Sequence, residues 1–157
     1  MTTHCVIVTY NGIEWIKKCL DSLQESSVIL KVICIDNGST DGTQNIIKSY
    51  SSVKFIQSET NLGFGKANNI GINIALENSA DYVFLLNQDA WIEKDTLKNL
   101  LEVITENENI EIASPIHLNG SGEALDKLFA TYVAPKLSND PCLFMSDAYT
   151  HQLAKYY

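Results

Sequence analysis

Basic residues are scarce in this 157-residue chain, where 11 Lys and Arg stand against 19 Asp and Glu for a formal charge of −8. No basic patch is available to neutralise a phosphate backbone, which excludes nucleic acid as the expected partner. The four cysteines, Cys5, Cys19, Cys34 and Cys142, have no CxxC spacing, and three of them stand in apolar runs. They are expected to be buried free thiols rather than a disulfide frame. His4, His117 and His151 are scattered and offer no metal-ligand spacing. Within the chain there is no run of 18 apolar residues and no signal-peptide pattern. A cytoplasmic domain is therefore expected, with any membrane contact peripheral, at the inner face, and made by residues outside this chain. Low-complexity runs and internal repeats are missing as well.

What is present has the composition of one globular domain, 45% hydrophobic and 19% charged. A chain of this size buries roughly 68–70% of its unfolded surface without needing a disulfide. The run HCVIVTY, residues 4–10, is short, apolar and β-branched, as suits a strand covered on both faces, and it stops at Asn11 and Gly12. From residues 13 to 23, Ile16, Cys19, Leu20 and Leu23 recur at spacings of three and four, which predicts a helix. A second strand over 28–35 leads into IDNGSTDGT, in which Gly38 and Gly42 permit tight turns and Asp41 can cap the helix marked by Ile46, Ile47 and Tyr50. VKFIQ, residues 53–57, is a third strand. The glycine-rich NLGFGKANNIGI, residues 61–72, then runs into a helix whose Ala67, Ile70, Gly71, Ile74 and Ala75 share a face. DYVFLL, residues 81–86, predicts a fourth strand; Leu97, Leu100, Leu101 and Ile104 mark a helix, and IEIASPI, residues 110–116, predicts a fifth strand. This alternation predicts a mostly parallel sheet in a three-layer α/β/α, Rossmann-like fold.

Open α/β sheets take their ligands at the carboxyl ends of the strands. There the chain places Asp36, the 61–69 loop, and Asn87, Gln88 and Asp89. A dinucleotide fingerprint does not fit, because Gly63, Gly65 and Asn68 supply two of three glycines and follow the third strand rather than the first. Lys66 and the first N–H groups of the helix are available to an anion.

VTYN at 8–11, DNGSTDGT at 36–43, NLGFGKANNIGI and LLNQDA at 85–90 together resemble the family 2 glycosyltransferases of GT-A fold over about the first 116 residues. The loop and the NQD sequence are most similar to bacterial rhamnosyltransferases. The resemblance implies a nucleotide-diphosphate sugar donor, dTDP- or UDP-linked, and inverting transfer to a saccharide or lipid-linked acceptor in bacterial polysaccharide synthesis. By matching position it implies Thr9 and Tyr10 against the base and Asp36 accepting from the pyrimidine N3–H. Asn61, Gly63 and Lys66 lie in the nucleotide loop, Gln88 stands where a family carboxylate meets the ribose, and Asp89 would hold Mg²⁺ or Mn²⁺. A cation stabilises charge on the departing diphosphate and offsets an acidic protein. Magnesium often takes one or two carboxylates plus substrate phosphate, so Asp89 alone can suffice.

Asn87 stands in place of the first acid of the family's DXD motif. The acceptor-activating base comes from a later part of the family pattern, and neither Asp140 nor Asp147 sits in a matching motif, so the base is expected beyond Tyr157. Residues 1–116 are thus expected to be the donor-binding core. Residues 117–157 are expected to be an incomplete acceptor-side segment of a longer protein. Trp15 and Trp91, beside apolar helix positions, are expected in the core rather than as sugar platforms. The alternative is a non-catalytic nucleotide-binding or regulatory α/β module, such as a receiver-like domain with Asp36 as phosphoacceptor. Such a domain needs an acidic pair after its first strand, where Thr9, Tyr10 and Asn11 stand. A sugar nucleotidyltransferase would need a basic glycine-rich loop at that same place.

Overall fold

The computed structural model describes residues 1–131. Two compact units divide the chain, Met1–Lys94 and Asp95–Tyr157. The first contains β1 (Thr3–Thr9), α1 (Ile16–Gln24), β2 (Leu30–Asp36), α2 (Thr43–Lys48), β3 (Val53–Gln57), α3 (Phe64–Glu77) and β4 (Tyr82–Asn87). The strands form one parallel sheet in the order β3-β2-β1-β4. Every residue of β1 is buried, and so are the last five of β2, as expected of central parallel strands with helices on both faces.

Register fixes the ligand edge. Thr9 lies opposite Asp36, Asp36 opposite Gln57, and Val8 opposite Asn87, so the carboxyl ends of the strands stand in one row. The chain runs outward from β1 to β3 and then returns to the other side of β1 for β4. This reversal makes the gap between the ends of β1 and β4 the topological switch point, where a crevice opens in such sheets.

Helix α3 packs close to the sheet because its contact face is made of small residues. Ala67 and Ala75 join Val8, Ile33 and Ile35 in one core cluster, with Ile74 packed at its margin. Ile70, expected on the same face, is exposed, because the buried line runs through Ala67, Gly71 and Ala75 at intervals of four. A Cβ at Gly71 would fall 2.3 Å from Val6 Cγ1, a β-branched side chain in the central strand that has little room to turn. Gly71→Ala is therefore expected to destabilise the unit. Overpacking of about 1–3 kcal/mol outweighs the roughly 1 kcal/mol of helix propensity gained. Urea unfolding measures the difference, and a neutral result would mean that α3 can lift from the sheet.

At the opposite end of β1, His4 is buried and its Nδ1 has no hydrogen-bond partner. Burial first, then Lys31 and Lys54, lower its pKa and favour the neutral ring.

The second unit contains α4 (Thr96–Glu106), whose buried positions are Leu97, Leu100 and Val103. The expected fifth strand over 110–116 does not form. Pro115 lacks the N–H a ladder needs, and Ile112 is 72% exposed, so the segment has no buried apolar face to fix a register. The chain instead makes an isolated antiparallel bridge between Leu118 and Leu125. The His117 ring stacks on Phe129, with centroids 4.7 Å apart. Asp126 Oδ1 accepts from the Leu128 and Phe129 N–H groups, and these bonds to Phe129 first hold the carboxyl below its ordinary range. Asp140, Asp147, Cys142 and His151 lie outside the described residues. Among those described, no helix is long and apolar enough to cross a membrane.

Candidate functional site

The site begins with a buried carboxylate. Asp36, the last residue of β2, is 0% exposed and receives four hydrogen bonds. Thr9 Oγ1 donates to its Oδ1 at 3.0 Å, and the Ser39 hydroxyl donates to the same oxygen. The Ser39 N–H at 3.1 Å and Gln44 Nε2 at 3.0 Å donate to Oδ2. The expectation that Asp36 faces the crevice and that Thr9 lies against a base differs from this arrangement. Both side chains are buried, because the turn after β2 folds its own donors over the carboxylate.

The rest of DNGSTDGT grips the loop that follows β1. Four successive N–H groups of that loop are each held by a side chain. Tyr10 N–H donates to Gln88 Oε1 at 3.0 Å and Asn11 N–H to Ser39 Oγ at 2.9 Å. Gly12 N–H donates to Thr43 Oγ1 at 2.8 Å and Ile13 N–H to Asp41 Oδ2 at 3.0 Å. In return, Asn11 Oδ1 accepts from the Thr40 N–H at 2.9 Å. Asn11 itself has φ 46°, a left-handed conformation that Asn tolerates better than most residues. Asp41 is not the helix cap that was expected. Gly42 takes that position with φ 97°, and Asp41, one residue earlier, receives the Thr43 N–H at 3.0 Å. The bonds from Thr43 and Ile13 lower its pKa against an opposing contribution from desolvation.

Ser39, Thr43, Gln44, Asn37 and Asn11 were missing from the expected site. Asn37 is buried and its Oδ1 accepts from the Leu62 N–H at 3.2 Å, tying β2 to the glycine-rich loop. The available signal was the density of hydroxyl and amide side chains in NGSTDGTQ, more than one turn and one cap require.

Around this buried network stand the accessible groups. Tyr10 is 47% exposed. In the glycine-rich loop, Asn61 Oδ1 accepts from the Gly63 N–H at 2.8 Å, and Gly63 precedes the first turn of α3 with φ 82°. Lys66 is exposed in that turn, while Asn68 is buried and donates to Phe64 C=O at 3.0 Å. On the turn after β4, Asp89 is exposed and Gln88 half-buried. Cys19, in α1, lies close enough that Asp89 adds to burial in pushing its thiol up to about 12. Cys5, Cys19 and Cys34 are all buried and free, as expected. Trp15 and Trp91 are not in the core. Helix α1 begins only at Ile16, which leaves Trp15 off its buried face at 48% exposed, and Ile92 takes the buried position beside Trp91. Lys18 Nζ sits 3.1 Å from the Trp91 ring centroid, a cation–π contact.

Among the described residues, no three His, Cys, Asp or Glu side chains gather to hold a metal. The exposed Asp89 fits a cation completed by substrate oxygens and water, not one held by protein alone. Asp36, enclosed by four donors, presents no free carboxylate for phosphorylation, which disfavours a receiver-like module.

The model of the glycosyl transferase family 2 matches residues 4–135. The chain belongs to that family. Its α/β unit has the GT-A form of the fold. The glycosyltransferase GlyA of Streptococcus pneumoniae serotype 4 (strain ATCC BAA-334 / TIGR4) is 31% identical over 106 residues, covering 64% of this chain and 15% of that protein. The dTDP-rhamnosyl transferase RfbF of Shigella flexneri is 30% identical over 117 residues, 74% of this chain and 38% of that one. Residues 1–349 of TarS from S. aureus, solved in complex with UDP-GlcNAc, superpose with a TM-score of 0.68 at 29% identity, over 76% of this chain and 36% of that chain. This family 2 chain thus spans 15%, 38% and 36% of the length of these three proteins, well under half of each.

Proposed function

We propose that the chain is the donor-binding part of an inverting, metal-dependent glycosyltransferase. Its substrate would be a UDP- or dTDP-linked sugar, with rhamnose the narrower candidate, and its acceptor a saccharide or lipid-linked chain in bacterial polysaccharide synthesis. One observation carries the reading: the ends of β1, β2 and β4 bring Tyr10, Asp36, Gln88 and Asp89 to a single row across the switch point. A UDP-GlcNAc complex of the similar TarS and the dTDP donor named for RfbF support the ligand class.

In this reading Tyr10 lies along the base, and Asp36 reads the base edge or organises the loop that does. The glycine-rich loop and Lys66 approach the diphosphate. Asp89 would hold Mg²⁺ or Mn²⁺, which when bound stabilises negative charge on the leaving diphosphate. The base that takes the acceptor proton belongs to a later segment, so the chain binds donor but transfers sugar poorly. Work at the inner face of the cytoplasmic membrane would suit a lipid-linked acceptor.

Calorimetry with UDP and dTDP, each with and without Mn²⁺, tests the reading. One nucleotide is expected to bind, and Mn²⁺ to strengthen it on the order of 100-fold, about 2.7 kcal/mol and within the range of a contact to a charged group. Failure of both nucleotides to bind in Mn²⁺ would remove the donor site.

A further inference from the structure

Among the described residues, one side chain bridges the switch-point gap by hydrogen bonds. Gln88, on the turn after β4, makes two hydrogen bonds to the peptide groups of Tyr10, at the end of β1. Its Oε1 accepts from the Tyr10 N–H at 3.0 Å and its Nε2 donates to the Tyr10 C=O at 3.1 Å. The neighbouring Gly12 leaves room for this amide, since a Cβ there would lie 2.2 Å from Gln88 Oε1. The next three N–H groups of the loop are anchored from the β2–α2 side, by Ser39, Thr43 and Asp41. Among the described residues, only the Gln88 bonds hold the loop from the β4 side.

We propose that Gln88 is a positioning residue, which sets the Tyr10 ring against the nucleobase through this paired bond instead of contacting the ribose. The proposal rests on the donor-site reading above. It also gives a chemical reason for an amide at this position. An amide supplies one donor and one acceptor to a peptide that needs both. An ionised glutamate accepts only, and would set its charge against the Tyr10 carbonyl oxygen. A protonated glutamic acid again has both functions. Because Asp89 is the next residue, one turn fixes the base loop and presents the carboxylate for the diphosphate end.

The test titrates UDP and 2′,3′-dideoxy-UDP, at constant Mn²⁺, into the wild-type chain and the variants Q88A, G12A and G12A/Q88A. Thermal melts establish that each variant folds. Q88A is expected to weaken both ligands by the same factor, about tenfold, the size of one to two net hydrogen bonds. G12A should weaken binding similarly by displacing the amide, and the double variant should bind no worse than the weaker single one.

A loss confined to UDP, with the dideoxy analogue unaffected by Q88A, would assign Gln88 to the ribose and overturn the proposal. Independent, multiplying losses in G12A and Q88A would overturn it as well. A wild-type chain that binds neither ligand gives a separate result, because the nucleotide site itself is then lost and the role of Gln88 with it.

Discussion

Alanine at position 36 is expected to destabilise the Met1–Lys94 unit by about 3–5 kcal/mol, the range for breaking a buried charged network, and to bring nucleotide binding below detection. The carboxylate is fully buried and is the common acceptor for Thr9, for Ser39 twice and for Gln44. Its removal orphans up to four donors, each costing roughly 1–3 kcal/mol if nothing replaces the acceptor. Water entering the space left by the carboxylate offsets part of that, which keeps the total well below the sum. The consequence for binding follows from Ser39. Its hydroxyl donates to Asp36 while its oxygen receives the Asn11 N–H, so losing Asp36 loosens the loop that carries Tyr10. Asp36→Asn retains the volume and one oxygen but turns an amide donor toward donors already present. A smaller loss of about 1–3 kcal/mol is expected for it. Urea unfolding of both variants gives the comparison. A cost under about 1 kcal/mol for Asp36→Ala would mean that water satisfies the whole cluster.

The enclosure of Asp36 also sets how a base could reach it. Of its donors, Thr9 and Ser39 are buried and only Gln44 is partly exposed. Gln44 Nε2 also donates to the Ser39 C=O at 2.7 Å. Asp36 is 0% exposed, so a pyrimidine N3–H reaches it only where one of these donors moves, and Gln44 is the one that is partly exposed. Nothing in the residue pattern distinguished an Asp open to a ligand from one closed by a glutamine eight positions later. That distinction depends on how the turn folds back.

Alternation of apolar runs made the four strands and their parallel direction legible, because central parallel strands are buried on both faces and must be apolar throughout, whereas their order in the sheet was not. The end of the alternation was not legible. IEIASPI has the composition of a strand, and only Pro115 warned that its ladder could not close. The row Tyr10, Asp36 and Asp89 could be placed because strand ends converge in any βα repeat. By contrast, the hydroxyls of Ser39 and Thr43 find their partners 28 and 31 positions away. No local spacing encodes such a contact. Trp15 was misplaced for a simpler reason: a helix starting three residues later than its apolar pattern moves the first aromatic off the buried face.

Replacing Asp89 by alanine is expected to leave stability within about 0.5 kcal/mol, as for other exposed positions, and to weaken nucleotide binding in Mn²⁺ on the order of 100-fold. That factor corresponds to about 2.7 kcal/mol, within the range of a contact to a charged group. Asp89 is the one carboxylate on the turn after β4, since Asn87 and Gln88 are neutral, and no cluster of acids among the described residues can substitute for it. The metal-free titration carries the sharper expectation. With no cation present, Asp89 is simply a negative charge beside a negative diphosphate on a chain of net charge −8. Removing it should leave binding unchanged or slightly tighter. The two proteins should therefore exchange order: wild type binds better in Mn²⁺, and Asp89→Ala binds equally or better in a chelator. A residue that merely shaped the turn would weaken binding in both conditions by the same factor. Parallel losses would accordingly show that the cation, if one binds, is held by groups other than Asp89.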